Sequence, residues 1–158
     1  MADQDAASGA SATPSLTIPS LTINRRLDAP PERVYAAWTQ PENLIRWFGP
    51  TAVRPGSIRA EIDLRVGGHY RIGFDHESGE HHEVSGIYRD VVPNARLIFS
   101  WAWHSTPERE SLVTVTLKPD GAGTLLTLHH EQLFDEAARE RHERGWTELL
   151  DTLERKFS

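Results

Sequence analysis

A chain of 158 residues has the length of one ordinary domain, and roughly two-thirds of the unfolded surface can be buried at that size. With 17 Lys and Arg against 23 Asp and Glu, the formal charge of −6 repels phosphate backbones, so nucleic-acid binding is not expected. Cysteine is absent, which excludes disulfides, thiolate catalysis and cysteine-ligated zinc and fits a reducing cytoplasm.

Residues 1–19 are rich in Ala, Ser, Thr, Asp and Pro and lack periodicity. They are expected to form a disordered tail ahead of one domain over 20–158. The opening Met-Ala-Asp-Gln-Asp has neither a basic start nor an apolar run, so no secretory signal is expected. No apolar stretch approaches the roughly 18 residues of a membrane span. The expected location is the cytoplasm, without a membrane partner.

Leu21, Ile23 and Arg25 alternate with Thr22, Asn24 and Arg26, which suits a strand. Asp28-Ala29-Pro30-Pro31 stops it, and Asp28 or a neighbour is expected to cap a helix with proline in its first turn. Val34, Tyr35 and Trp38 give that helix an apolar face. A second short helix is expected from Pro41 to about Phe48, with Leu44, Trp47 and Phe48 on one side, ended by Gly49-Pro50.

From Ser57 the period changes to two. Ile58, Ala60, Ile62, Leu64 and Val66 alternate with charged residues and read as one long strand, closed by Gly67-Gly68. Tyr70, Ile72 and Phe74 mark the next strand, Glu77 to Glu80 a hairpin loop, and Val84, Gly86 and Tyr88 another inner set. Further strands carry Leu97, Phe99, Trp101 and Trp103, then residues 112–117, then Leu126, Leu128 and His130. A helix is expected from about Asp135 to Phe157, with Ala138, His142, Trp146, Leu149, Leu150, Leu153 and Phe157 on one face. Gly145 in its middle costs about 1 kcal/mol against alanine, and close approach to a strand or bulky aromatic would account for it.

Strand, two helices, a run of antiparallel strands and a long helix make an α+β layout. The pieces Arg26-Leu27-Asp28-Ala29-Pro30-Pro31-Glu32-Arg33-Val34-Tyr35, Trp38-Thr39-Gln40-Pro41-Glu42 and Trp47-Phe48-Gly49-Pro50 come in order. Asp63-Leu64-Arg65-Val66-Gly67-Gly68, Gly86-Ile87-Tyr88, Leu128-His129-His130-Glu131 and Gly145-Trp146 follow them. Together, over Leu21 to the C-terminus, they resemble the START-like (SRPBCC) superfamily. Within it they are most similar to bacterial proteins resembling the C-terminal domain of the heat-shock-protein-ninety ATPase activator. The resemblance implies a helix-grip fold, a curved antiparallel sheet of about six to seven strands wrapped around the long helix. It does not transfer a reaction, because such domains include lipid carriers, hormone receptors and polyketide cyclases. At this length the separate N-terminal domain of the full co-chaperone is not expected.

Candidate ligand-lining residues are Trp38, Trp47, Tyr70, Phe74, Tyr88, Trp101, Trp103, His130, Gly145, Trp146 and Leu149. Ligand pockets are mostly apolar with few polar anchors, and His130, sharing a face with Leu126 and Leu128, is the sharpest polar candidate. His81 and His82 are adjacent in a strand and point to opposite faces, so no metal or other cofactor is expected. No nucleophile elbow, phosphate loop or dinucleotide fingerprint occurs. The run Glu140 to Arg144 reads as a solvated helix face.

The expected function is binding or carriage of a small apolar or aromatic molecule in a cavity between sheet and helix, without catalytic residues. A polyketide cyclase or aromatase-like enzyme, using His130, and a chaperone-associated stress-response module are the alternatives. The protein is expected to act as a monomer or homodimer.

Overall fold

The proline pair at 30–31 separates a strand from a helix because proline fixes φ and carries no N–H. In the computed structural model, which describes residues 18–49 and 52–157, β1 covers Leu21–Leu27 and α1 covers Pro31–Thr39. The N-cap of α1 is Pro30, with no side-chain cap. Asp28 sits too early to fill that role, and its carboxylate faces the Arg26 guanidinium at 4.0 Å. The expected tail lies mostly outside the described residues. Of its end, Pro19 is tied to the domain, its carbonyl accepting the Leu133 N–H at 3.2 Å.

The second helix is shorter than expected. α2 spans Pro41–Leu44, after which Arg46 and Trp47 donate to the carbonyls three residues back, at 3.1 and 3.3 Å. This tighter winding ends the helix, yet Leu44, Trp47 and Phe48 remain buried.

Six strands then follow in a meander: β2 Arg59–Ile62, β3 His69–Asp75, β4 His81–Val92, β5 Arg96–Trp103, β6 Ser111–Asp120 and β7 Gly123–Glu131. They and β1 form one seven-stranded sheet in the order β1-β7-β6-β5-β4-β3-β2, every pairing antiparallel. α1 and α2 therefore carry the chain from one sheet edge to the other. α3, Glu136–Lys156, ends the fold.

The long strand expected through Val66 is a correction. β2 stops at Ile62, which pairs with Tyr70, so Leu64 and Val66 lie in the hairpin loop and are 38% and 62% exposed. The loop closes because Asp63 N–H donates to the His69 carbonyl at 2.9 Å, and Gly67 adopts φ +86°. A Cβ on Gly68 would collide with the Asp63 carbonyl, so the glycine pair makes this turn possible.

Period-two alternation sets the inner face. Tyr70, Ile72, Phe74, Val84, Tyr88, Leu97, Phe99, Trp101, Val113, Val115, Leu117, Leu126 and Leu128 are all buried, and α3 lays Ala138, Trp146, Leu149, Leu150 and Leu153 against them. Fully burying such a side chain contributes about 1.5–3 kcal/mol. The Asp135 carboxylate starts α3 by accepting the Ala138 N–H at 2.8 Å. Arg25 on β1 holds the other end of the helix through Asp151 at 2.8 Å.

Candidate functional site

The far ends of β3, β5 and β7 lie at the same end of the sheet, because consecutive strands run antiparallel. There the chain leaves the sheet in loops 76–80 and 104–110 and in the segment 132–135, and α3 begins. Between these loops and the first half of α3 lies a cleft of about 500 Å³. Its sheet wall is Phe74, His82, Trp101, Trp103 and Ser111, with Phe48 beside them. Its helix wall is Ala138, Arg141, His142, Gly145, Trp146 and Leu149. His76, Ser105, Thr106, Arg109, Leu133 and Phe134 complete the boundary.

Of the sequence candidates, Phe74, Trp101, Trp103, Gly145, Trp146 and Leu149 are brought together around this cleft. Trp38, Tyr70 and Tyr88 lie deeper, with Trp101 and Trp146, around a gap of only about 20 Å³. That is space for a single water at most. The Tyr70 hydroxyl donates to the Ser100 carbonyl at 2.6 Å, and burial raises its pKa well above the usual tyrosine value. Trp47 is turned away from the cleft. It packs edge-on against Trp38 at 4.8 Å and donates its indole N–H to the Ala37 carbonyl at 3.0 Å.

His130 is fully buried and off the cleft wall. The Trp146 indole donates to its Nδ1 at 3.0 Å. An indole N–H only donates, so the imidazole proton sits on Nε2 and is given to Ser111 Oγ at 2.7 Å. Ser111 in turn donates to the Trp101 carbonyl at 3.2 Å. Both ring nitrogens are thus engaged, and the histidine acts as a strut between β7, β6 and α3. Burial holds its pKa well below the usual range, and the His142 and His129 imidazoles push the same way.

His142 repeats the pattern on the cleft wall. Its Nδ1–H donates to the Ala138 carbonyl at 2.7 Å, and its Nε2 accepts the Trp103 indole N–H at 3.1 Å. This joins α3 to β5 across the cleft floor. Desolvation lowers its pKa, the Ala138 bond opposes that, and Arg141 adds to it.

Gly145 does not mark a close approach, contrary to the sequence expectation. A Cβ there would meet nothing within 4 Å, so the missing side chain leaves open space along the helix wall. Residues that sequence reasoning did not place at the site include His76, His82, Arg109, Ser111, Phe134 and Arg141. His76, Arg109 and Phe134 sit in loops without periodicity, and Arg141 was hidden in a run of charges. Among the described residues, no group of three or more His, Asp or Glu is placed to hold a metal ion, and no helix is long and apolar enough to cross a membrane.

A curved antiparallel sheet with a long C-terminal helix laid across it and an apolar cleft at one end defines an α+β helix-grip protein of the START-like class. Residues 28–158 match the model of the family described as Activator of Hsp90 ATPase homolog 1-like protein, and the chain belongs to that family. None of the curated proteins matches it in sequence. Among solved structures, protein CV1439 from Chromobacterium violaceum is 30% identical over 87% of this chain and 96% of its own, with a TM-score of 0.76. CalU16 from Micromonospora echinospora is 34% identical over 85% of this chain and 73% of its own, with a TM-score of 0.64. The AHSA1 protein SPO3351 from Silicibacter pomeroyi is 27% identical over 87% of this chain and 96% of its own, with a TM-score of 0.73.

Proposed function

We propose that the protein binds or carries a small, largely apolar molecule in the cleft between the ends of β3 and β5 and the first half of α3. The observation that carries this reading is the cleft itself. Its volume of about 500 Å³ lies within the roughly 300–1,000 Å³ of small-molecule sites. Its walls are mostly aromatic and aliphatic, with a few polar groups. An interaction module would be expected to fill this space with its own side chains. A cyclase using His130 would need a free ring nitrogen, and both are engaged.

The test uses N-phenylnaphthylamine, a neutral dye that fluoresces in apolar sites, with the wild type and Gly145→Leu. Saturable one-to-one binding is expected, weakened roughly tenfold or more in the variant. Because the new side chain enters open space and leucine is a better helix former than glycine, which stands about 0.8–1 kcal/mol below alanine, stability should hold or rise. Loss of binding with retained stability marks a filled cleft. Equal dye affinity in both proteins would refute the site.

A further inference from the structure

The charges around the cleft run against those of the chain. The protein carries 23 acidic and 17 basic residues, yet no Asp or Glu among the described residues lines the cleft, while Arg109 and Arg141 both do. The remaining ionisable lining groups are His76, His82 and His142. In an acidic protein, a concave site whose permanent lining charges are two arginines concentrates field of one sign and draws anions from solution.

Arg141 has no partner on its own helix for a reason written in the spacing. Ion pairs on a helix form between residues three or four apart. Around Arg141 those positions hold Ala137, Ala138, Arg144 and Gly145, none of them acidic. Arg139, two residues earlier, is held by Glu136 at 2.6 Å and by Glu143 at 2.8 Å. Arg141 makes no ion pair among the described residues and borders the space left open by Gly145. Arg109 sits opposite on the 104–110 loop, its guanidinium 3.8 Å from the centroid of the Phe134 ring. Its nearest carboxylate is the adjacent Glu108, at 4.0 Å. A flat cation stacked on an aromatic keeps its edge free for a carboxylate.

We propose that the cleft selects an aromatic monoanion, with the ring seated among Trp101, Trp103 and Trp146 and the carboxylate at the mouth between Arg141 and Arg109. This rests on the small-molecule reading above and adds the chemical class of the ligand. The ring buries apolar area, and the carboxylate supplies orientation through charge-assisted hydrogen bonds.

The test displaces N-phenylnaphthylamine with a matched pair, naphthylacetate and the nearly isosteric neutral naphthylacetamide, in wild type, Arg141→Gln and Arg144→Gln. Arg144 lies outside the cleft and serves as the control for helix charge. The acid should displace the dye at roughly tenfold lower concentration than the amide, and added salt should narrow that ratio. Arg141→Gln should cut the ratio severalfold, with Arg109 still in place, while Arg144→Gln, outside the cleft, preserves both the ratio and the dye affinity. If the dye binds but acid and amide compete equally, or Arg141→Gln leaves the ratio intact, the anion selectivity is wrong and the cleft survives as a neutral site. If the dye does not bind the wild type, or Gly145→Leu leaves its affinity unchanged, the small-molecule reading fails and takes the selectivity with it.

Discussion

Replacing His130 with phenylalanine keeps the ring size and removes both ring nitrogens from a fully buried position. The Trp146 N–H then loses its only acceptor in a site closed to solvent, which costs about 1–3 kcal/mol. The Ser111 hydroxyl keeps its bond to the Trp101 carbonyl and loses the proton offered by the imidazole, about 0.5–1.5 kcal/mol more. The sum, about 2–4 kcal/mol, is a large share of the roughly 5–15 kcal/mol of a small domain. The loss should itself depend on pH. The unfolded chain takes up a proton at this histidine below about pH 6.5, whereas burial keeps the folded imidazole neutral to much lower pH. A lowered folded pKa means that the stability due to His130 is fully present above the unfolded pKa. It is lost as pH falls towards the folded value, at about 1.4 kcal/mol per pH unit. The phenylalanine variant has no such proton. Urea titrations of both proteins between about pH 7.5 and 5.5 cancel the common carboxylates and isolate this contribution. The wild-type advantage should be largest near neutrality and shrink with acid. A constant advantage would refute the neutral, doubly bonded assignment, and an advantage that grows in acid would reverse it.

Trp146→Ala should cost about 3–5 kcal/mol in a denaturant titration, since Trp146 is buried and packs on Trp101 at 5.0 Å and Trp38 at 6.0 Å. A neutral result would mean that this face of α3 is not the packed one. Gly86→Ala should be more disruptive than its size suggests, because the added Cβ meets the Ser100 carbonyl, and overpacking of this kind costs about 1–3 kcal/mol. An unfolding midpoint equal to that of the wild type would show that β4 and β5 are not that close.

The inner strand faces were legible from strict alternation, as in Tyr70-Ile72-Phe74, Leu97-Phe99-Trp101 and Leu126-Leu128-His130. The buried face of α3 was legible from its helical spacing. Alternation alone misled at Leu64 and Val66, because a hairpin loop can carry the same pattern as a strand. What separates them is the Asp63 to His69 closure, which depends on two glycines and not on hydrophobicity. The parity of His130 was correct, but its role needed the positions of Trp146 and Ser111, which lie far from it along the chain. Gly145 announced an energetic penalty without saying which side of the helix it served. Part of the cleft boundary, His76, Ser105, Thr106 and Arg109, comes from loops 76–80 and 104–110, where no periodic signal exists. Arg141 is exposed, as a solvated helix face implies, and its place on the cleft wall needed the 104–110 loop and α3 brought together.

The pairing of β1 with β7 sets the order in which the molecule can be completed. Thr22 and His129, joined at 2.9 Å, are 107 positions apart in the chain. The six meander strands can zip locally, each against the one just made, but the β1 edge must wait for β7, the last strand of the sheet in chain order. α3 follows every strand in the chain, so the inner faces that it covers stay open until it has been made. Pairings this distant fold slowly because a long loop must close before they gain anything, and exposed sheet faces are prone to aggregation meanwhile. Truncating α3 from its C-terminus would therefore leave a nascent chain trapped in that uncovered state, and the distribution between soluble and aggregated product would shift long before any change in ligand binding could be measured.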